Sequence, residues 1–329
     1  MLCKEAVHTA ALGVSMASLD DILRSLTPEE QRPLMLGPHA FPWLWRFFMP
    51  AELKSFRVPE EKNATCGNCP RVCDAGYRPD YRCCTYQPRV PNFLLGLASQ
   101  TPLGSQALAR AEEQQMLLPE GMVASPQQWL DFMEDQEQDL YGRSQRVLCP
   151  LLETKTGLCS IHAFRNAVCS TYFCEHEQGE AGEIFWAQLQ TLGSQIELGL
   201  AQWALDQLGF SVPNYLEQLD SYAPRVEQLS APQGWRSEIL RELWGPWYGR
   251  SQELYQRCAA LIVAHRHELW QLANTQTLRE AKAFEAALDA LSGEDTELQE
   301  PGAPEPAALT WEYCREAHAA LWTPSNGRG

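Results

Sequence analysis

Nine of the twelve cysteines in this chain lie between residues 66 and 174, and no other feature constrains the fold as tightly. They are Cys66, Cys69, Cys73, Cys83, Cys84, Cys149, Cys159, Cys169 and Cys174. Cys3, Cys258 and Cys314 are scattered singles and read as small hydrophobes. At 329 residues the chain is long enough to bury a core without disulfide staples. Thiols gathered in one third of it point to metal or redox chemistry. The competing reading is a disulfide-rich exported domain or a set of buried free thiols.

The spacing supports metal. Cys66 and Cys69 have the C-x2-C interval that lets two sulfurs converge on one ion, and Gly67 and Pro70 suit a tight loop there. Cys83 and Cys84 are adjacent; in extended backbone they point to opposite sides, which suits two metal positions better than one tetrahedral ion. His162 follows Cys159, and His176 follows Cys174, at plausible chelate intervals. Cys169 and Cys174 would stand about 140° apart on a regular helix, so either a helix ends between them or they serve different partners. One zinc ion or one cubane cluster uses four ligands. Nine thiols therefore imply two four-ligand sites, a multinuclear site with bridging thiolates, or one zinc site with bystanders. Soft thiolates select an iron–sulfur cluster, zinc or copper(I) over magnesium and calcium. An iron–sulfur cluster or zinc is the expected cofactor, with iron–sulfur favoured by the number of thiols.

Charge separates along the chain. The two cysteine segments, 62–92 and 143–176, hold nine basic against four acidic residues, while the whole chain carries −16. Positive charge beside a thiol favours the thiolate that binds metal. A surface this acidic repels phosphate backbones and anionic lipid, so neither nucleic acid nor membrane is an expected partner; a protein is. No apolar run approaches the ~20 residues that span a bilayer. The mildly apolar stretch near the N-terminus is interrupted by His8 and Ser15, unlike an export signal, and the expected location is cytoplasmic.

Most of the remainder reads as helix. Ser125-Pro126 opens one. Phe185, Leu189, Leu192, Ile196, Leu200, Trp203 and Ala204 form an apolar stripe within 184–208. Further helices are expected near 235–244, 251–273, 276–291 and 310–321, with His265 and His267 as ordinary helix residues. The best short strand is Val147–Leu152. The aromatic runs at 41–48 and 243–248 are read as core. The expected architecture is mainly α, a helical protein with an irregular, metal-stabilised cysteine-rich module. Its segments are 1–60, helical and aromatic; 61–180, the cysteine module with a helical insertion; 181–291, helical; 292–308, an acidic, proline-rich linker; and 309–329, a C-terminal helix and tail.

In the order of these motifs the chain resembles the zinc- or iron-chelating cysteine-cluster family, the YkgJ-like or CxxCxxCC proteins, over about residues 66–174. The family pattern is a cysteine-rich loop ending in a Cys-Cys pair, then Cys-Pro with hydrophobics, Gly-x-Cys-x-Ile, an arginine and two final cysteines. Here these are Cys66, Cys69, Cys73, Cys83 and Cys84; Cys149-Pro150-Leu151-Leu152; Gly157-Leu158-Cys159-Ser160-Ile161; Arg165; Cys169 and Cys174. Two positions depart from it: nine residues separate Cys73 from Cys83, and Asn166 stands where proline often follows the arginine. The resemblance implies metal binding by these cysteines, in metal handling, redox or a maturation pathway. Flagellin lysine methylases are similar in having such a cluster, which by analogy alone implies a cluster-dependent protein-modifying enzyme. The third reading is a structural zinc module supporting a helical interaction domain. No glycine-rich loop resembling a nucleotide or S-adenosylmethionine site accompanies the cysteines.

Overall fold

Residues 18–61, 70–222, 230–231, 234–275, 315–319 and 321 are described by a computed structural model. The chain is mainly helical, with short antiparallel ladders between the helices. It begins with α1 (Leu19–Arg24), the hairpin β1 (Leu34–Leu36) and β2 (His39–Phe41), and α2 (Trp45–Phe48). Two 3₁₀ turns, Ala51–Ser55 and Pro70–Cys73, flank the beginning of the cysteine region. Next come β3 (Val90–Pro91), α3 (Asn92–Ala98), α4 (Pro102–Glu113), β4 (Leu117–Leu118), β5 (Gly121–Met122) and α5 (Pro126–Glu137). Strands β3, β5 and β4 form a three-stranded sheet in that order. The hairpin β6 (Leu152–Glu153) and β7 (Leu158–Cys159) precedes the short α6 (Ala167–Thr171) and the long α7 (Gly179–Gln207). The last elements are α8 (Val212–Tyr222), β8 (Ser230–Ala231) paired with β9 (Gly234–Trp235), α9 (Ser237–Trp244), α10 (Ser251–Ala264) and α11 (Leu269–Thr275). Residues 315–319 and 321 are also helical.

Helix α7 organises the packing. Its 29 residues span roughly 44 Å at 1.5 Å per residue. Phe185, Leu189, Leu192, Ile196, Leu200, Trp203 and Ala204 are all buried, as the apolar stripe required. Helices α6, α10 and α11 pack along it. One continuous apolar core runs from Leu19 to Leu321 and takes in Phe41, Leu44, Trp45 and Phe48 from the first aromatic run and Trp244 and Trp247 from the second. Those residues are core, as read from the sequence, whereas Trp43 and Phe47 are half-buried against it and Tyr248 is exposed. Ser125 caps α5 with a full capping box through Gln128, and Pro126 sits in its first turn.

Three local expectations change. Val147–Leu152 is not a strand: only Leu152 joins a ladder, because the Leu152 N–H turns back to the Cys149 carbonyl at 3.1 Å and Pro150 has no N–H to give. The single helix expected over 251–273 is two, α10 and α11, separated by a 3₁₀ turn at Arg266–Glu268. That break lets Arg266 reach Glu30 at 2.7 Å and His265 pack on Trp203, so His265 and His267 are not regular helix residues. The segments 276–291 and 292–308 lie outside the described residues. Among the described residues no helix is long and apolar enough to cross a membrane.

Helix α3 is buried on every side, which its sequence NFLLGLA permits. It packs backbone to backbone against α10: a Cβ on Gly96 would stand 2.0 Å from the Tyr255 carbonyl oxygen. Only glycine fits there. Gly96→Ala is expected to destabilise the fold by about 3 kcal/mol through overpacking, read as a lower melting midpoint in denaturant. An unchanged midpoint would show that the two helices are not in this contact.

Candidate metal centre

The cysteine region holds little regular structure, and turns and paired loops position its side chains. Arg82 adopts φ +54°, and the Cys84 N–H closes a turn onto the Tyr81 carbonyl at 3.1 Å. The Cys149 N–H donates to the Cys84 carbonyl at 2.8 Å, which ties the Cys83-Cys84 turn to the Cys149-Pro150 segment. Gly142 sits between them at φ +75°; its N–H donates to Thr85 Oγ1 at 2.7 Å, and a Cβ there would meet the Tyr77 ring at 2.3 Å. The hairpin β6–β7 carries Cys159, paired opposite Leu152. Helix α6 carries Cys169 and ends at Thr171, so a helix does end before Cys174.

These segments enclose an open cavity of about 830 Å³. Cys83, Cys84, Cys149, Cys159 and Cys169 line it together with Tyr86, Phe132, Tyr141, Tyr172, Phe173, His162, Arg71, Arg165 and Asn166. Five of the nine sequence-selected cysteines thus share one space. The adjacent Cys83 and Cys84 both face it, because the backbone there turns instead of running extended. Cys73, exposed at the end of its 3₁₀ turn, and Cys174, half-buried beyond α6, do not line the cavity. Cys66 and Cys69 lie outside the described residues, as do Cys3 and Cys314. Cys258 is fully buried in the core. His162 faces the cavity, whereas His176 stands 3.5 Å from the buried Glu61.

The thiols act on one another. Burial pushes Cys149 up to about 12, and nearby Cys159 and Cys83 add to the rise. Cys169 is also pushed well up, first by crowding and then by Cys149, Cys159 and Cys83, while Arg165 pulls the other way. Its surface is open to the cavity, so water there offsets part of the crowding. Burial pushes the Tyr86 hydroxyl up to about 12, with Cys169 and Cys149 contributing. Burial and Arg165 hold the His162 imidazole below its ordinary value. The thiols are soft donors, of the kind that select a thiophilic cation over magnesium or calcium. Among the described residues, no three His, Cys, Asp or Glu side chains stand together as a ready-made ligand set.

The basic excess read from the two cysteine segments is locally neutralised in part. Arg71 pairs with Asp74, Arg78 with Asp80, Arg89 with Glu120 at 2.6 Å, and Arg143 with Asp139. Arg146 meets Asp131, Glu134 and Asp135. Helix α5 and its C-terminal edge supply several of these carboxylates from outside the counted segments. Arg165 donates to the Ala40 carbonyl at 2.7 Å and contacts His162.

Two buried residues that the cysteine pattern did not reveal hold α6. Asn166 Oδ1 accepts the Cys169 N–H at 3.2 Å, and its Nδ2 donates to the Arg89 carbonyl at 2.8 Å. Glu197, on α7, accepts the Ala167 N–H at 3.0 Å. The signal for Asn166 was present as an Asn three residues before Cys169, the N-cap spacing. Glu197 carried only the weaker signal of a lone acid inside an apolar helix.

Comparison with known proteins finds no family model, no curated protein and no solved structure that matches this chain.

Burial pushes the Glu197 carboxyl up to about 8 from its ordinary 4.5, against the downward pull of the Ala167 N–H. Between those values the folded chain keeps a proton that the unfolded chain has released. Stability therefore falls as pH rises through that window, by at most about 1.4 kcal/mol per pH unit from this group. Glu197→Gln keeps an acceptor for the Ala167 N–H and does not ionise. Denaturant unfolding is expected to show a flatter stability profile for the variant from about pH 5 to 8 and a more stable variant above it. Parallel profiles for the two proteins would contradict the assignment.

Proposed function

We propose that this chain binds a thiolate-held metal centre, an iron–sulfur cluster or zinc, in the cavity. The observation that carries the proposal is the convergence of Cys83, Cys149, Cys159 and Cys169. They come from four separate segments of chain, they line one space, and their charges act on one another. Cys84 is the fifth thiol of the same space and is available to a multinuclear centre. The reading favours iron–sulfur, because the thiols outnumber what one zinc uses. Such a protein serves metal handling, redox or a maturation pathway, with a protein as its partner. Reduced thiols fit a reducing compartment such as the cytoplasm.

Cluster iron held by thiolates supplies one-electron chemistry when bound, whereas a closed thiolate zinc is redox-inert. The residues of this chain would hold the group through the four thiols, with Tyr86 and Arg165 lining the same cavity. The cavity walls exclude bulk water from the Cys149 side, which is 7% exposed.

A second reading, an enzyme acting through this site, draws support from the size of the cavity. A volume of about 830 Å³ lies within the range of small-molecule sites and exceeds what an ion requires. Phe132, Tyr141 and Phe173 line the remainder, and His162 offers a nitrogen beside the thiols.

Protein purified anaerobically with iron supplied is expected to be brown, with charge-transfer absorption near roughly 400 nm that bleaches on reduction. Colourless protein with stoichiometric zinc would replace the iron–sulfur reading with the structural zinc module. Less than about 0.5 equivalents of any transition metal, with melting unaffected by a strong chelator, would reject metal binding altogether.

Substitution separates the cysteines. Cys→Ser at Cys83, Cys149, Cys159 or Cys169 is expected to lower metal content to near zero, while Cys258→Ala lowers stability without changing the metal-to-protein ratio of the folded fraction. If the two groups change metal content alike, the ligand assignment is wrong.

A further inference from the structure

We propose that Asn166 is a positioning residue for the Cys169 sulfur, an inference that rests on the metal-centre reading of the cavity. Asn166 is 2% exposed and occupies the N-cap of α6, a helix of only five residues that has little stability of its own. Both ends of its side-chain amide are used. Oδ1 accepts the Cys169 N–H at 3.2 Å, and Nδ2 donates to the Arg89 carbonyl at 2.8 Å. Arg89 is itself fixed, because its guanidinium meets the buried Glu120 at 2.6 Å. The Glu120 carbonyl accepts the Asn92 N–H at 2.8 Å at the start of α3. The backbone of Cys169 is thus connected, through the Asn166 amide, Arg89 and Glu120, to α3, whose seven residues are all buried. Proline at 166 would supply neither the cap acceptor nor the donor to Arg89. Asn166 is thus a two-ended clamp on a thiol-bearing turn. Groups that orient ligands in this way typically set metal affinity without touching the metal.

The test uses the full chain and two readouts. The first is the rate at which iodoacetamide alkylates Cys169 in metal-free protein, followed by peptide mass spectrometry. The second is affinity for zinc, used as the probe metal, in competition with a chromogenic chelator. Asn166→Ala loses both hydrogen bonds, and Asn166→Ser keeps a cap acceptor without the donor to Arg89. Ser125→Ala, which removes the cap of α5, controls for loss of stability alone. The alkylation rate of Cys169 is expected to rise severalfold in Asn166→Ala and less in Asn166→Ser, with zinc affinity falling about 10-fold or more in Asn166→Ala. Should Asn166→Ala fail to fold, Asn166→Ser carries the same two readouts in the same direction. Rates and affinities that follow Ser125→Ala, or that do not change, overturn the proposal. If the parent protein binds no zinc and no iron, the metal-centre reading fails, and the alkylation rates alone still decide whether Asn166 positions Cys169.

Discussion

The burial of the apolar face of α7 is the constraint on which the other elements depend. Phe185, Trp186, Leu189, Leu192, Ile196 and Leu200 are each at most 1% exposed. At roughly 2 kcal/mol per fully buried large side chain, this face supplies a large share of the driving force for folding. The cysteine region could not fold on its own ladders, which are two residues long. It gains its shape by resting on α7 and on the buried α3. Helix α6, which carries Cys169, lies along α7 and is pinned to it where Glu197 accepts the Ala167 N–H. The position of a cavity thiol is therefore set by a core helix, whose own Gln190 also lines the cavity.

This arrangement explains why distant sequence segments meet. Cys83 and Cys84 arrive on a turn closed by the Tyr81 carbonyl, Cys149 is tied to Cys84 through the backbone, and Cys159 comes from a hairpin. Each segment is short and irregular, so each has low intrinsic stability, and a cation shared among the thiols would add its binding free energy to that of the fold. The raised value of Cys149 follows from its own burial, with Cys159 and Cys83 adding to the rise. Arg89, Arg143 and Arg146 pair with carboxylates of Glu120, Asp139 and α5 and do not form a bare cationic surface.

Much of this was legible in the sequence where a periodic or spacing rule applied. The α7 stripe, the Ser125-Pro126 start of α5 and the use of both aromatic runs as core follow from amphipathic spacing and capping chemistry. The cysteines that share the cavity were all among those selected by clustering and order. Pairwise contacts across the chain were not legible. The turn that replaces the strand at Val147–Leu152 depends on Pro150, the break at Arg266 depends on Glu30 some 236 residues away, and the neutralisation of Arg146 depends on α5. Local patterning does not encode such partners. Nor does it encode the division among the cysteines, in which Cys84 lines the cavity, Cys73 does not, and Cys174 acts on Arg71, Tyr141 and Tyr172 of its wall from outside the lining.

The central claim is that the cavity thiols share a metal. X-ray absorption at the metal edge of anaerobically purified protein tests it most directly, because it reads the donor atoms themselves. The account predicts a first shell of about four sulfurs at about 2.3 Å, with an additional metal–metal distance if the centre is a cluster. A first shell of oxygen and nitrogen alone, or bound metal whose shell is unchanged when Cys149 and Cys169 are replaced by serine, would contradict it.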